Sequence, residues 1–135
     1  MDRNEGQDGA GTGFIRSRRL KNRKEFLFLA ARGRKAPVSG LVLQLFRRQD
    51  SDAARVGFTV TKKVGNAVVR NRARRRLREV VRLVEADTPL NGLDLVLIGR
   101  AATGQRLFTD LVADFRKALK LCLAEADRKA HPHKK

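Results

Sequence analysis

The chain has no tryptophan, no tyrosine, one methionine and a single cysteine, Cys122. One cysteine excludes an intrachain disulfide and suits a reducing compartment. Without Trp or Tyr, stacking on nucleobases falls to seven Phe, the histidines and arginine, which counts against the aromatic platforms of many RNA binders. No apolar run approaches the roughly 18 residues that a membrane helix needs, and no lipidation signal is present. The first residues carry no apolar export core. A cytoplasmic protein with no membrane partner is the expectation. Acidic residues are scarce as well: 14 Asp and Glu stand against 31 Lys and Arg, for a formal net charge of +17.

Residue patterns for independent catalysis are thin. His131 and His133 lie in a basic C-terminal run, and no Cys or carboxylate cluster has metal-ligand spacing. No glycine-rich phosphate loop leads into a helix. Asp110 and Asp114 read as first-turn and solvent charges on a helix, and Cys122 as a core residue. A nuclease acting alone is therefore disfavoured. Self-repulsion from +17 opposes compaction and is relieved by a polyanion, so nucleic acid is the expected partner.

The 135 residues, 41% of them hydrophobic, fit one domain with a modest core. Residues 1–15 read as a disordered N-terminal segment, 16–128 as a single RNA-binding domain and 129–135 as a flexible basic tail. Basic residues gather at Arg16, Arg18, Arg19, Lys21, Arg23 and Lys24. Asn22 then caps a short helix with Glu25 at its third position, and Gly33 ends it. Phe26, Leu27, Leu29 and Ala30 are expected to share its apolar face.

Pro37, Ser39 and Gly40 punctuate the chain before a strand over 41–46, with Leu41, Leu43 and Leu45 on one face and Val42, Gln44 and Phe46 on the other. After a polar turn over 47–53, a second strand over 55–61 alternates Val56, Phe58 and Val60 with Arg55, Gly57, Thr59 and Thr61. The two strands are expected to form an antiparallel hairpin. Asn66 caps a second helix whose apolar stripe is Val69, Ala73, Leu77, Val80 and Val84. Asp94–Ile98 reads as a buried strand. A last helix is expected from Thr109 as cap to about Arg128, with Leu111, Val112, Phe115, Leu119 and Cys122 as its stripe.

The second helix is the most informative segment. From Lys62 to Arg82 nine residues are cationic and only Glu79 is acidic. Arg70, Asn71, Arg74, Arg75, Arg78 and Arg82 lie opposite the stripe, with Arg72 and Arg76 near its border. Like charges at i,i+4, such as Arg70, Arg74 and Arg78, destabilise an isolated helix, and a bound anion explains why they are tolerated. Arginine suits bidentate phosphate contacts. Lys62, Lys63 and Asn66 stand beside the helix N-terminus, where either a phosphate or plain solvent fits.

The run Lys62-Lys-Val-Gly-Asn-Ala-Val-Val-Arg-Asn-Arg-Ala-Arg-Arg-Arg-Leu-Arg78 resembles the Arg-Asn-Arg signature of the protein subunit of bacterial ribonuclease P. Arg19-Leu-Lys, Glu25-Phe26, Gly33, Arg55-Val-Gly-Phe-Thr-Val and Asp94-Leu-Val-Leu-Ile-Gly-Arg100 are similar to that family too, over roughly 16–125. The resemblance implies an α/β fold, a two-layer α+β sandwich ordered helix, three strands, helix, strand, helix, similar to domain 2 of ribosomal protein S5. It also implies a left-handed strand-helix-strand crossover, against the general right-handed rule.

In function, the resemblance implies an accessory subunit of an RNA enzyme that removes the 5′ leader of precursor tRNA, one protein copy per catalytic RNA. Magnesium ions are expected with the RNA and none on the protein, and the chain supplies no catalytic residue. Lys62, Lys63, Asn66, Arg70, Asn71, Arg72, Arg74, Arg75 and Arg78 are the implied RNA contacts. A cleft between the first helix and the sheet, with Arg19, Phe26, Gln44 and Phe46, is the implied leader site. Ala30 stands where family members often carry an aromatic, and Gln44 where some carry Tyr. A ribosomal or RNA-chaperone protein is the rival binding module.

Overall fold

The computed structural model describes residues 17–130, with side chains to Ala124. The expected N-terminal segment and residues 131–135 of the expected tail lie outside the described residues.

Arg18–Arg19 form a two-residue strand, β1. Helix α1, Arg23–Arg32, starts at a complete capping box. Asn22 Oδ1 accepts from the Glu25 N–H at 3.2 Å, and Glu25 Oε1 accepts from the Asn22 N–H at 3.3 Å. Gly33 stops the helix by turning extended, its N–H donating to the Leu29 carbonyl at 2.8 Å. Leu29 is the one buried residue of α1, while Leu27 and Ala30 are exposed. The expected four-residue apolar face is thus narrower, because α1 meets the sheet along a single ridge.

Pro37, read as punctuation, lies within a strand of its own, β2, Arg34–Val38, which completes the three strands that the resemblance implied before the second long helix. Pro37 is tolerated because β2 is an edge strand, pairing only with β3, Leu41–Arg47. Strand β4, Arg55–Thr59, leads through a turn into helix α2, Ala67–Asp87. Strand β5, Leu93–Gly99, is followed by a 3-10 turn over Ala101–Gly104 and helix α3, Phe108–Ala130. Thr109 therefore lies within the first turn of α3 rather than capping it. The helix also reaches Ala130, two residues into the stretch read as tail.

The sheet order is β1-β4-β5-β3-β2. The expected hairpin between β3 and β4 does not form. β5 lies between them, antiparallel to β3 (Leu43 opposite Leu97) and parallel to β4 (Val56 opposite Leu95). The reason lies in β5, whose residues apart from Asp94 are apolar towards both faces, which favours the centre of the sheet, where both faces are covered.

The hand of the β4-α2-β5 crossover follows from one residue. The Val56 carbonyl accepts from the Leu20 N–H at 3.0 Å, towards β1, while its side chain enters the core under α2. For an L-residue seen from its side chain with the strand running upward, the carbonyl lies to the right. β1 is therefore right of β4 and β5 left of it, so the path over α2 is left-handed. The general rule fails here, as the resemblance implied.

Leu41, Leu43, Leu45, Val56, Leu95 and Leu97 pack on one face against Ala73, Leu77, Val80 and Val84 of α2 and Leu111, Phe115, Leu119 and Cys122 of α3. Val69, expected in the stripe, is 38% exposed, because the first turn of α2 runs past the sheet. On the opposite face Leu20, Leu29 and Val96, with Phe26, Phe46 and Ile98, form a smaller cluster under α1.

Candidate nucleic-acid interface

Helix α2 starts where Asn66 Oδ1 accepts from the Val69 N–H at 3.0 Å, which commits this side chain to the cap. Its buried stripe turns the arginines of the other side outward. They divide into two sets.

Arg72 and Arg76 hold the helix to the loop after β5. Arg72 Nε donates to the Gly104 carbonyl at 3.0 Å. Arg76 donates to the carbonyls of Thr103 at 2.8 Å and Arg106 at 2.6 Å, and lies 6.0 Å from the Phe108 ring centroid. Burial first, and then the adjacent Arg72 charge, lower the Arg76 pKa from its ordinary value. That loop is anchored in turn by Thr103, whose hydroxyl donates to the buried Gly40 carbonyl at 2.6 Å, and by the Arg106–Asp114 pair. Asp114, expected as a solvent charge, is thus buried and structural.

The other set faces outward. Arg75 and Arg78 are exposed and meet no acceptor among the described residues, as are Lys62 and Lys63 in the turn before α2. Arg74 reaches only Asn71 Oδ1, at 3.1 Å, and Arg70 only the Gly65 carbonyl, at 3.2 Å. Arg82, in contrast, is ion-paired with Glu79. The surface from Lys62 to Arg78 is therefore a cationic ridge with no internal counter-charge, suited to phosphates.

The second candidate region lies across the sheet, under α1. Phe26 turns down onto the strands. A Cβ added at Gly57 would come within 2.5 Å of its ring, so glycine there lets helix and sheet approach. Gln44 is 7% exposed on the same sheet face, and Arg19 is exposed on β1. Phe46 contacts Phe28 edge-to-face with ring centroids 4.9 Å apart. A cleft of about 580 Å³ opens here, lined by Asn22, Lys24, Glu25, Phe28, Phe46, Arg48, Arg55 and Asp94. It lies at the Arg55 and Asp94 end of β4 and β5, whereas Lys62–Asn66 follow the other end of β4. Because α2 covers the face of Leu95 and Leu97 and α1 that of Val96, ridge and cleft also sit on opposite faces of the sheet.

The floor of the cleft is a closed ionic network. Asp94, 4% exposed, accepts from Arg48 at 2.6 Å and from Arg55 at 3.0 and 2.8 Å. Arg55 also reaches Glu25 at 2.7 Å, and Arg48 pairs with Asp50. The Lys21 and Asn22 N–H groups, and then Arg55, hold the Glu25 carboxyl below its ordinary pKa. Sequence reasoning missed Phe28, Arg48, Arg55 and Asp94 as cleft residues. The available signal was Asp94 itself, a charge inside an otherwise apolar strand, which demands a partner. No group of three or more His, Cys, Asp or Glu side chains placed to hold a metal occurs among the described residues. None of their helices is long and apolar enough to cross a membrane.

The ribonuclease P family model matches residues 14–122. A ribonuclease P protein component of Gluconacetobacter diazotrophicus is 67% identical over 105 residues, covering 78% of this chain and 90% of that one. One from Paramagnetospirillum magneticum is 50% identical over 106 residues, covering 76% and 80%. Among solved structures, the RNase P protein of Thermotoga maritima superposes with a TM-score of 0.63 at 26% identity, covering 77% of this chain and 94% of that one. That of Staphylococcus aureus superposes with a TM-score of 0.65 at 24% identity, covering 76% and 93%, a likeness of fold alone. With the signature on an outward cationic helix, a left-handed crossover and a matched family model, this chain belongs to the ribonuclease P protein family.

Proposed function

We propose that the chain works as the RNA-binding subunit of ribonuclease P, holding the catalytic RNA and the single-stranded 5′ leader of precursor tRNA while the RNA cleaves. The observation that carries this reading is the ridge of Lys62, Lys63, Arg70, Arg74, Arg75 and Arg78, outward-facing and without a carboxylate partner. Arg72 and Arg76 hold that ridge on a fixed support, so binding RNA costs little ordering of the backbone. Neutralising phosphates there releases counterions and lowers the magnesium needed for RNA folding and substrate docking.

The cleft under α1 takes the leader. Its place across the sheet from the ridge lets one protein touch catalytic RNA with α2 and substrate with α1. Phe26 acts there chiefly as a support, since its ring is committed to Gly57. Phe46 lines its sheet side, while Gln44 is buried on the same sheet face outside the lining and Arg19 stands exposed at the strand edge. The carboxylates of Glu25, Asp50 and Asp94 are taken up by Arg48 and Arg55, so magnesium ions are assigned to the RNA. The protein acts as a cytoplasmic monomer, one copy per RNA.

The test is leader cleavage at low millimolar magnesium with catalytic RNA alone, protein alone, and both. Efficient cleavage only with both is expected. Tight RNA binding with no enhancement would move the protein to the ribosomal or chaperone class.

A further inference from the structure

Helix α1 spans only ten residues and buries a single one of them, Leu29, in its second half. A helix of that length is not stable by itself in water, so contacts with the sheet hold it. Beside the first turn the apolar contact gives little direction: the edge of the Phe26 ring lies over Gly57, which has no side chain to grip it. The directional hold is polar and lies one residue earlier, at Glu25, whose carboxylate has two tasks. Oε1 accepts from the Lys21 and Asn22 N–H groups, at 3.0 and 3.3 Å, which starts the helix. Oε2 accepts from Arg55 Nη1 at 2.7 Å. Arg55 is not free to swing with it, because its Nε and Nη2 both donate to Asp94, at 3.0 and 2.8 Å. Asp94 is fixed in turn, 4% exposed in the central strand β5 and also held by Arg48 at 2.6 Å. One planar guanidinium thus joins the first turn of α1 to β4 and β5, a geometry that the point charge of a lysine does not reproduce. Moving α1 over the sheet would break either the cap or the Arg55 fork.

We infer that Glu25 and Arg55 form a latch that sets the position of α1 over the sheet, and that both are positioning residues for precursor tRNA rather than contacts to it. Every nitrogen of Arg55 and both oxygens of Glu25 are engaged in the latch or the cap. The same carboxylate starts the helix and docks it, so α1 does not form in one place and settle in another. The effect on substrate rests on the leader-binding reading above; the effect on α1 rests on this geometry alone.

The experiment uses the reconstituted holoenzyme with Glu25→Gln, with Arg55→Lys and with both. Three quantities are read: affinity for precursor relative to mature tRNA, affinity for the catalytic RNA, and backbone hydrogen exchange in α1 against α2. A partly exposed charged pair is worth about 2- to 5-fold, and a loss of that size in the precursor preference is expected from each variant. The double variant is expected to lose no more than the larger single loss, because both changes open one latch. Exchange is expected to quicken over residues 23–32 and to hold in α2, with affinity for the catalytic RNA unchanged. Lost stability alone would weaken both tRNA affinities alike and leave their ratio intact. Unchanged exchange over 23–32 in both single variants overturns the latch, and a full precursor preference in both overturns its role in positioning. If the native holoenzyme shows no precursor preference, the leader reading fails, and the exchange result decides the latch by itself. Arg55→Lys keeps a cation beside Asp94, so it serves even if Glu25→Gln folds poorly.

Discussion

Replacing Arg74, Arg75 and Arg78 with alanine separates the ridge from its support. None of the three pairs with a carboxylate; Arg74, half-buried, gives up its bond to Asn71. Alanine is the best helix former and the change removes the Arg74/Arg78 repulsion, so the melting temperature should hold or rise. Each phosphate that the variant no longer neutralises lowers the slope of log K against log salt by roughly 0.7–0.9, so three lower it by about 2–3. A threefold rise in salt then shrinks the affinity gap between native and triple variant about tenfold. Arg76→Ala is the contrasting change, because it strips donors from the Thr103 and Arg106 carbonyls. Unmet partly buried carbonyls cost about 1–3 kcal/mol, a drop of roughly 3–6 °C for each kcal/mol in a domain of this size. Its salt slope should change by less than one unit. Filter binding of the catalytic RNA across a salt series, with thermal melts, reads both quantities. An unchanged slope in the triple variant would refute the ridge as the phosphate-binding surface.

Two further outcomes follow from the ionic floor of the cleft. Asp94→Asn leaves Arg48 and Arg55 without their shared carboxylate, and breaking a buried pair costs roughly 3–5 kcal/mol, here nearer 3 because the Arg55 side chain is 38% exposed; urea unfolding with no loss of stability would contradict the network. Glu25 has a folded pKa held below its ordinary 4.5, so its contribution is complete above about pH 4.5 and disappears as pH falls through the depressed folded value. Glu25→Gln keeps the capping geometry but removes this titration, so the acid-unfolding profiles of the two proteins should differ below pH 4.5 and run parallel above it.

Much of this molecule was legible in its sequence because the signals are local. The capping box of α1, the Asn66 cap of α2, the stripe Ala73, Leu77, Val80 and Val84, and the outward set of Arg75 and Arg78 follow from helical period and side-chain chemistry alone. The alternation of Leu41, Leu43 and Leu45 determined which face of β3 meets the core. The family signature lies in one continuous segment, so it too was readable.

Tertiary structure decided what depends on distant neighbours. Adjacent strands resembling a hairpin were separated by β5, since a strand apolar on both sides gains most from the centre of the sheet. Arg72 and Arg74 look alike in the sequence, yet one is held by the Gly104 carbonyl and the other reaches only its helical neighbour. Phe26 and Phe28 stand two residues apart on α1, and only the sheet beneath shows that one ring packs its edge over Gly57, half-buried, while the other is exposed. The sequence alone determined a basic helix on a small α/β domain, because charge and period are properties of a segment. Which cations and rings are left over for RNA was decided by the fold, because being unpartnered is a property of the whole set of neighbours.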